Sequence, residues 1–313
     1  MVDIPKTFGA LMVGGIIAAV FSGMVTAQAF SYFKYYVNDP RGIKALVGVV
    51  WFLDFCHTIF VSVALWDHLI AHFGDAARID YIPWSLAITI AFTAVLTFLV
   101  HLFFIFRIFK LSMNNFVIAI PLGLLACARL CFACLTTAKM IKLKSLKSFV
   151  ELYTWSFSCG LSLSSLLDIL ITTLLCYLLL QNHKKNSSMN GILDALMLYA
   201  FENGSLTCAA TVTSLICWLT MHTNLIFMGI HFVISKLYAN SLLATLNARK
   251  NLHQTQHRSQ HSGSSDRNHA IMFPDSFGLS RNTPSLKIKV DETKISTSDA
   301  NSGYTVKTSE EVC

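Results

Sequence analysis

SLAITIAFTAVLTFLVHLFFIF, residues 85–106, holds no charged side chain. A helix rises about 1.5 Å per residue and a hydrocarbon core is about 30 Å thick, so a run of about 20 apolar residues crosses a bilayer. Within the run, Thr89, Thr93, Thr97 and His101 recur every fourth position and share one helix face. A polar stripe on a lipid-compatible helix faces the interior of a bundle. There it either lines a water-filled path or, more commonly, its threonines bond their own preceding carbonyls.

Six further runs have the same character, at roughly 8–33, 45–66, 116–138, 152–180, 192–220 and 225–247. The last two are separated by a tight turn around Met221–Asn224. The first run shares features with a secretory signal: Lys6, an apolar stretch and a small-residue Ala27-Gln28-Ala29 site. Its apolar character continues through Phe30, Tyr32 and Phe33, longer than a signal core, and it reads as a span. The expected fold is all-α, a seven-transmembrane helix bundle over residues 1–250. Residues 251–313 are rich in Ser, Thr, Asn and His and read as a disordered polar tail on the cytoplasmic side, because such a composition cannot offset its ordering entropy. Its hydroxyls are either phosphate acceptors for a cytoplasmic protein partner or an inert solvated tract.

Composition agrees. Of 313 residues, 54% are hydrophobic and 13% charged, against about 25% charged in soluble domains. A net charge of +7 fits basic loops at anionic lipid headgroups, so membrane lipids rather than nucleic acid are the expected partners. Eight of the nine cysteines (Cys56, Cys127, Cys131, Cys134, Cys159, Cys176, Cys208 and Cys217) lie in apolar stretches and read as small core hydrophobes rather than a disulfide framework. Cys313 ends the sequence and lacks the three following residues of a prenylation box. Lysines and arginines set the orientation. Lys34, Arg41, Lys44, Arg107, Lys110, Lys184, Lys185, Arg249 and Lys250 fall on one side; Lys6, Arg78, Lys139, Lys142, Lys144 and Lys147 fall on the other. The balance favours an outside or lumenal N-terminus and a cytoplasmic C-terminus, in the plasma membrane or an endomembrane.

Charges at membrane depth are costly and face the bundle interior. Asp54, Arg129, Asp168, Glu202 and Lys236 lie at similar depths and form an expected polar layer, with Asp54–Arg129 and Asp168 or Glu202 with Lys236 as pairs. His57, His101 and Asn240 complete the candidate binding layer. It is either a ligand, ion or proton site or interhelical glue; Lys236 and Glu202 have the further option of snorkelling to the interface. Gly15, Ala19 and Gly23 are assigned to close helix packing, and Ser158, Ser162 and Ser165 with Gly160 form a second small and polar face.

Cys127, Cys131 and Cys134 share a helix face, but no fourth metal ligand is evident. His57, His101 and His231 lie in different spans and offer no matched pair of haem ligands. His253, His257 and His261 repeat every fourth residue in the tail, as weak metal ligands at most. No metal or cofactor is therefore assigned. Phosphate loop, GxSxG and HExxH motifs are absent. An intramembrane hydrolase would need dispersed His, Asp and Ser groups to converge.

Two segments carry a resemblance: Trp51-Phe52-Leu53-Asp54-Phe55-Cys56-His57, and Ser235-Lys236-Leu237-Tyr238-Ala239-Asn240-Ser241-Leu242-Leu243-Ala244-Thr245-Leu246-Asn247-Ala248-Arg249. They resemble basidiomycete membrane proteins carrying a domain of unknown function, over about residues 8–250. The resemblance implies seven spans and no particular activity. In the second motif Asn240 and Asn247 lie two turns apart on one face, Lys236 and Arg249 are placed to reach headgroups, and Leu242, Leu243 and Leu246 face lipid or neighbouring helices.

Seven spans with an outside N-terminus suggest a receptor by fold-level analogy. Rhodopsin-like receptor marks are missing: no Asp-Arg-Tyr follows His101, and no Asn-Pro-x-x-Tyr lies in the seventh span. Lys236 occupies a place comparable to a retinal lysine, but Phe232 stands where an aspartate is expected. A receptor-like or sensory protein is the leading expectation, with ligand unknown. A small-solute or ion transporter or channel follows, then an intramembrane enzyme, then a purely structural bundle.

Overall fold

The computed structural model describes residues 4–73, 75, 80–185, 190–221 and 224–261. Seven long helices account for nearly all of them: α1 (Ile4–Tyr35), α2 (Arg41–Trp66), α3 (Trp84–Leu111), α4 (Phe116–Leu143), α5 (Leu146–Lys185), α6 (Asn190–Thr220) and α7 (Ile226–His261). A π-helical turn, Asp67–Ala71, extends α2. Among the described residues, six helices, all but α6, are long and apolar enough to cross a membrane. The middle of α6 is diluted by Asn203, Gly204, Ser205 and Thr207. Helix α7 continues to His261, so it outlasts the boundary drawn at residue 250. The rest of the tail reading, residues 262–313, lies outside the described residues.

Helix ends follow local chemistry. Asn115 caps α4, its side chain accepting from the Val117 N–H at 3.0 Å. Lys144 in the left-handed region (φ 56°) ends α4. Asp80 then starts α5, accepting from the Lys147 N–H at 2.7 Å and the Ser145 hydroxyl at 2.8 Å. A lone antiparallel bridge between Tyr81 and Ser145 ties the α2–α3 and α4–α5 connections together. These two connections therefore share one end of the bundle.

Each helix packs against the next, and α1 packs against α7, closing the ring; α3 also meets α5 and α7, and α2 meets α7. The α1–α7 seam is parallel. Gly14 meets Gly229, the Asn240 amide donates to the Phe21 carbonyl at 3.2 Å, and the Asn247 amide donates to the Gln28 carbonyl at 2.9 Å, so the pairs ascend together along both helices. Helices α5 and α6 are antiparallel: Ser158–Trp218, Ser165–Thr211 and Thr172–Gly204 pair in opposite order. Helix α7 is the most enclosed of the candidate spans, with 83% of its apolar window buried, against 17% for α4. Two apolar clusters fill the interior. One surrounds Tyr32, Leu96, Ile108, Leu167 and Leu242; the other surrounds Phe149, Phe157, Trp218, Phe227 and Phe232. Many apolar side chains outside them, such as Phe30, Phe52 and Leu124, are exposed and match lipid.

Several packing expectations need correction. Gly15 is buried against Leu65, but Ala19 and Gly23 point outward; the close approach to α7 is made by Gly14. Adjacent glycines leave the contact face ambiguous by one residue, or about 100° of helix rotation. Ser162 is exposed, whereas Ser158 and Ser165 contact α6. Cys127, Cys131 and Cys134 share a face as expected, but that face is outside the bundle rather than in its core. Of the two surroundings expected for Leu242, Leu243 and Leu246, lipid or neighbouring helices, the second holds: all three are buried.

Candidate functional site

Buried polar groups in lipid must find partners inside the bundle. The threonine stripe of α3 does so locally. The Thr93 and Thr97 hydroxyls donate to the Thr89 and Thr93 carbonyls at 2.9 and 2.6 Å, and Thr89 donates to the Leu86 carbonyl at 2.6 Å. With its proton given to Thr89, the Thr93 oxygen accepts from His57 Nε2 at 3.2 Å, which fixes the imidazole tautomer. All four stripe residues, His101 included, are buried as their spacing requires.

The expected charges sort into two clusters. In the first, Lys236 Nζ lies 2.9 Å from Asp54 Oδ1 and donates to the Asp54 carbonyl at 2.8 Å and to Thr58 Oγ1 at 2.7 Å. Ser22 donates to Asp54 Oδ2 at 2.6 Å, and the Thr58 and Ser22 hydroxyls are 3.0 Å apart. One turn along, Asn240 donates to the Lys236 carbonyl at 2.9 Å. Helices α1, α2 and α7 are thus joined around one ion pair.

The second cluster joins α3, α5 and α7. Asp168 accepts from Tyr238 at Oδ2 (2.6 Å) and from His101 Nε2 at Oδ1 (3.2 Å). The His101 and Tyr238 rings meet edge to face, their centroids 5.4 Å apart. Arg129 of α4 approaches from the other side, donating from Nε to Ser164 at 2.7 Å and from Nη1 to the Ala94 carbonyl at 3.2 Å. A cavity beside the cluster is lined by His101, Asp168, Gly204, Thr207, Tyr238 and Ser241. It has room for a water-sized occupant and not for a drug-sized ligand.

This geometry replaces both expected pairings. Asp54 pairs with Lys236 rather than Arg129, because α2 packs on α7 and not on α4. Asp168 pairs with His101 and Tyr238 rather than Lys236, and Arg129 has only neutral acceptors within bonding distance. Glu202 leaves the layer altogether: it sits on the exposed face of α6. Lys236 is fully buried and does not snorkel. The side chain of Arg249 lies outside the described residues. Ser22, Thr58, Ser164 and Tyr238 join the two clusters without having been singled out in sequence, since neutral hydroxyls are unremarkable in a span. The signal for Tyr238 was its place two residues after Lys236 in the longer motif.

A His–Asp dyad invites comparison with a hydrolase. His101 Nδ1, the atom that would take a nucleophile's proton, has no hydrogen-bond partner among the described residues. Among those residues no cluster of three or more metal-ligating side chains forms.

The segment from α5 to α7 is also what comparison with known proteins picks out. Residues 164–251 match a family of unknown function, DUF6534. The DUF6534 segment begins at Ser164 and takes in Asp168, Lys236, Tyr238 and Asn240, while Asp54, His101 and Arg129 lie outside it. It therefore supplies one side of each cluster. No curated protein and no solved structure matches the chain.

Proposed function

We propose that this integral membrane protein crosses the bilayer seven times and is receptor-like, with α7 as the helix that responds. The parallel seam of α1 and α7 supports seven crossings. If α1 through α5 and α7 each cross, α7 runs parallel to α1 only when α6 crosses too. The distribution of lysines and arginines supports an outside N-terminus and a cytoplasmic end of α7. The tail, with its many hydroxyls, is then the segment offered to a cytoplasmic protein partner, and the resemblance to fungal proteins is consistent with this layout.

One observation carries the reading: α7 alone belongs to both polar clusters, and it continues as a helix to His261. An ion pair and a hydrogen bond to a carboxylate on one helix make a lock with discrete arrangements, which a signal can bias. The site residues are Asp54, His57, His101, Asp168, Lys236 and Asn240. The test is a spin-label distance between Ser112 and Asn251 in nanodiscs, for the wild type and Lys236→Gln. The variant should shift or broaden the distribution. An unchanged distribution in a folded variant would sink the proposal. The water-sized cavities beside charged groups favour a second reading, an ion or proton transporter, which flux across reconstituted vesicles would support.

A further inference from the structure

A second cavity lies between α3, α4, α5 and α7, lined by Ile90, Arg129, Thr136, Phe157, Gly160 and His231. No carboxylate borders it. Arg129 is buried, and its two hydrogen bonds go to a hydroxyl and a carbonyl, neither of which carries a full charge. A guanidinium has five N–H donors; these bonds use two. It forms no ion pair with a carboxylate among the described residues; Asp168 acts on it only through space, while hydrogen-bonded to His101 and Tyr238. His231 is 4% exposed, and both its ring nitrogens lack partners among the described residues. Thr136 donates to the Ser156 hydroxyl at 3.0 Å, which in turn donates to the Tyr153 carbonyl at 3.2 Å, so this chain of hydroxyls fixes Thr136 in the cavity wall.

A buried cation out of contact with any carboxylate, an unpartnered imidazole and apolar walls around a water-sized space make a site suited to one small anion. An isolated buried charge is costly, and a counter-ion removes that cost. We propose that this cavity binds a small inorganic anion of the halide class, held between the Arg129 guanidinium and an N–H of His231. The size of the space selects a monatomic ion over a carboxylate or phosphate, and the aromatic and aliphatic walls favour a weakly hydrated one. The ion links α4 to α7, two helices that otherwise have little direct contact. This inference is independent of the receptor reading, since a bound halide serves a receptor, a transporter or a structural bundle equally.

The experiment uses the full chain in nanodiscs, with chloride or bromide replacing gluconate at constant ionic strength. Thermal unfolding should rise by several degrees and saturate with halide, as mass action requires of a ligand that binds the folded state. Bromide should give anomalous scattering between Arg129 and His231 in crystals. Arg129→Gln should abolish the halide response. Should that variant not fold, His231→Leu and Gly160→Ala serve instead. The first removes a donor. The second narrows the cavity wall at a position where an added Cβ meets nothing closer than Phe132 Cβ at 3.9 Å. Both should stay folded and need at least tenfold more halide. A midpoint indifferent to halide, a response retained at full strength in the variants, or density showing water only in the cavity would each overturn the proposal.

Discussion

Lys236 and Asp54, 182 positions apart in sequence, meet with Nζ 2.9 Å from Oδ1 where neither side chain exposes more than 1% of its surface. Breaking such a pair from one side leaves a bare charge in the interior, at a cost of about 3–5 kcal/mol. Asp54→Ala and Lys236→Ala should each lower the unfolding midpoint in detergent steeply. The exchange Asp54→Lys with Lys236→Asp should recover part of the loss, whereas Asp54→Lys with Arg129→Asp should recover none. Equal recovery by both exchanges would contradict the pairing.

The Tyr238 hydroxyl donates to a carboxylate at 2.6 Å, and hydrogen bonds to charged groups contribute about 1.5–3 kcal/mol. Tyr238→Phe should therefore destabilise the protein by that order. In Asp168→Asn the acceptor is no longer charged, so the further effect of Tyr238→Phe should be smaller. A double-mutant cycle by chemical denaturation measures the coupling.

At the α1–α7 seam a Cβ on Gly229 would meet the Ala10 carbonyl oxygen at 2.5 Å, and backbone cannot step aside. Gly229→Ala should loosen the seam, visible as faster proteolysis and a lower midpoint. Gly23→Ala, on a face where an added Cβ meets nothing within 4 Å, should change neither.

Cys127, Cys131 and Cys134 lie outside the bundle. Replacing all three by Ala should alter stability by no more than about 0.5 kcal/mol each, as for other sites away from packing contacts. A large loss on removing them would return them to the core.

Because the Tyr81–Ser145 bridge joins the α2–α3 and α4–α5 connections, single cysteines at Asp80 and Ser145 should react with an impermeant maleimide from one side of sealed vesicles. Cysteines at Asp39 and Ser112 should react from the other. Any of the four labelling from the wrong side would break the seven-crossing layout.

Hydropathy alone located every helix, because each run of side chains must match the solvent around it. Depth was also legible: Asp54, Arg129, Asp168 and Lys236 all lie inside, and the spacing of Thr89 to His101 put that face inward. What depth cannot specify is which helices are neighbours. Asp54 and Arg129 lie at compatible levels on helices that do not pack together, so the pairing reads differently once α2 meets α7. Glu202 failed for a related reason: α6 is polar enough in its middle that a charge on its outer face looks interior from sequence. Neutral donors such as Ser22 and Ser164 become visible only when a carboxylate or guanidinium stands beside them.

The ring closed by α1 and α7 has a bearing on biosynthesis. The first helix to leave the ribosome waits for the last before its glycine contact can form. Until then Asp54 lacks its ammonium partner and Asp168 its phenol donor, so a nascent chain halted before Ile226 carries one carboxylate without its counter-charge and another short of a hydrogen bond. A chain cut before α7 should therefore be less stable in the membrane than one cut after it.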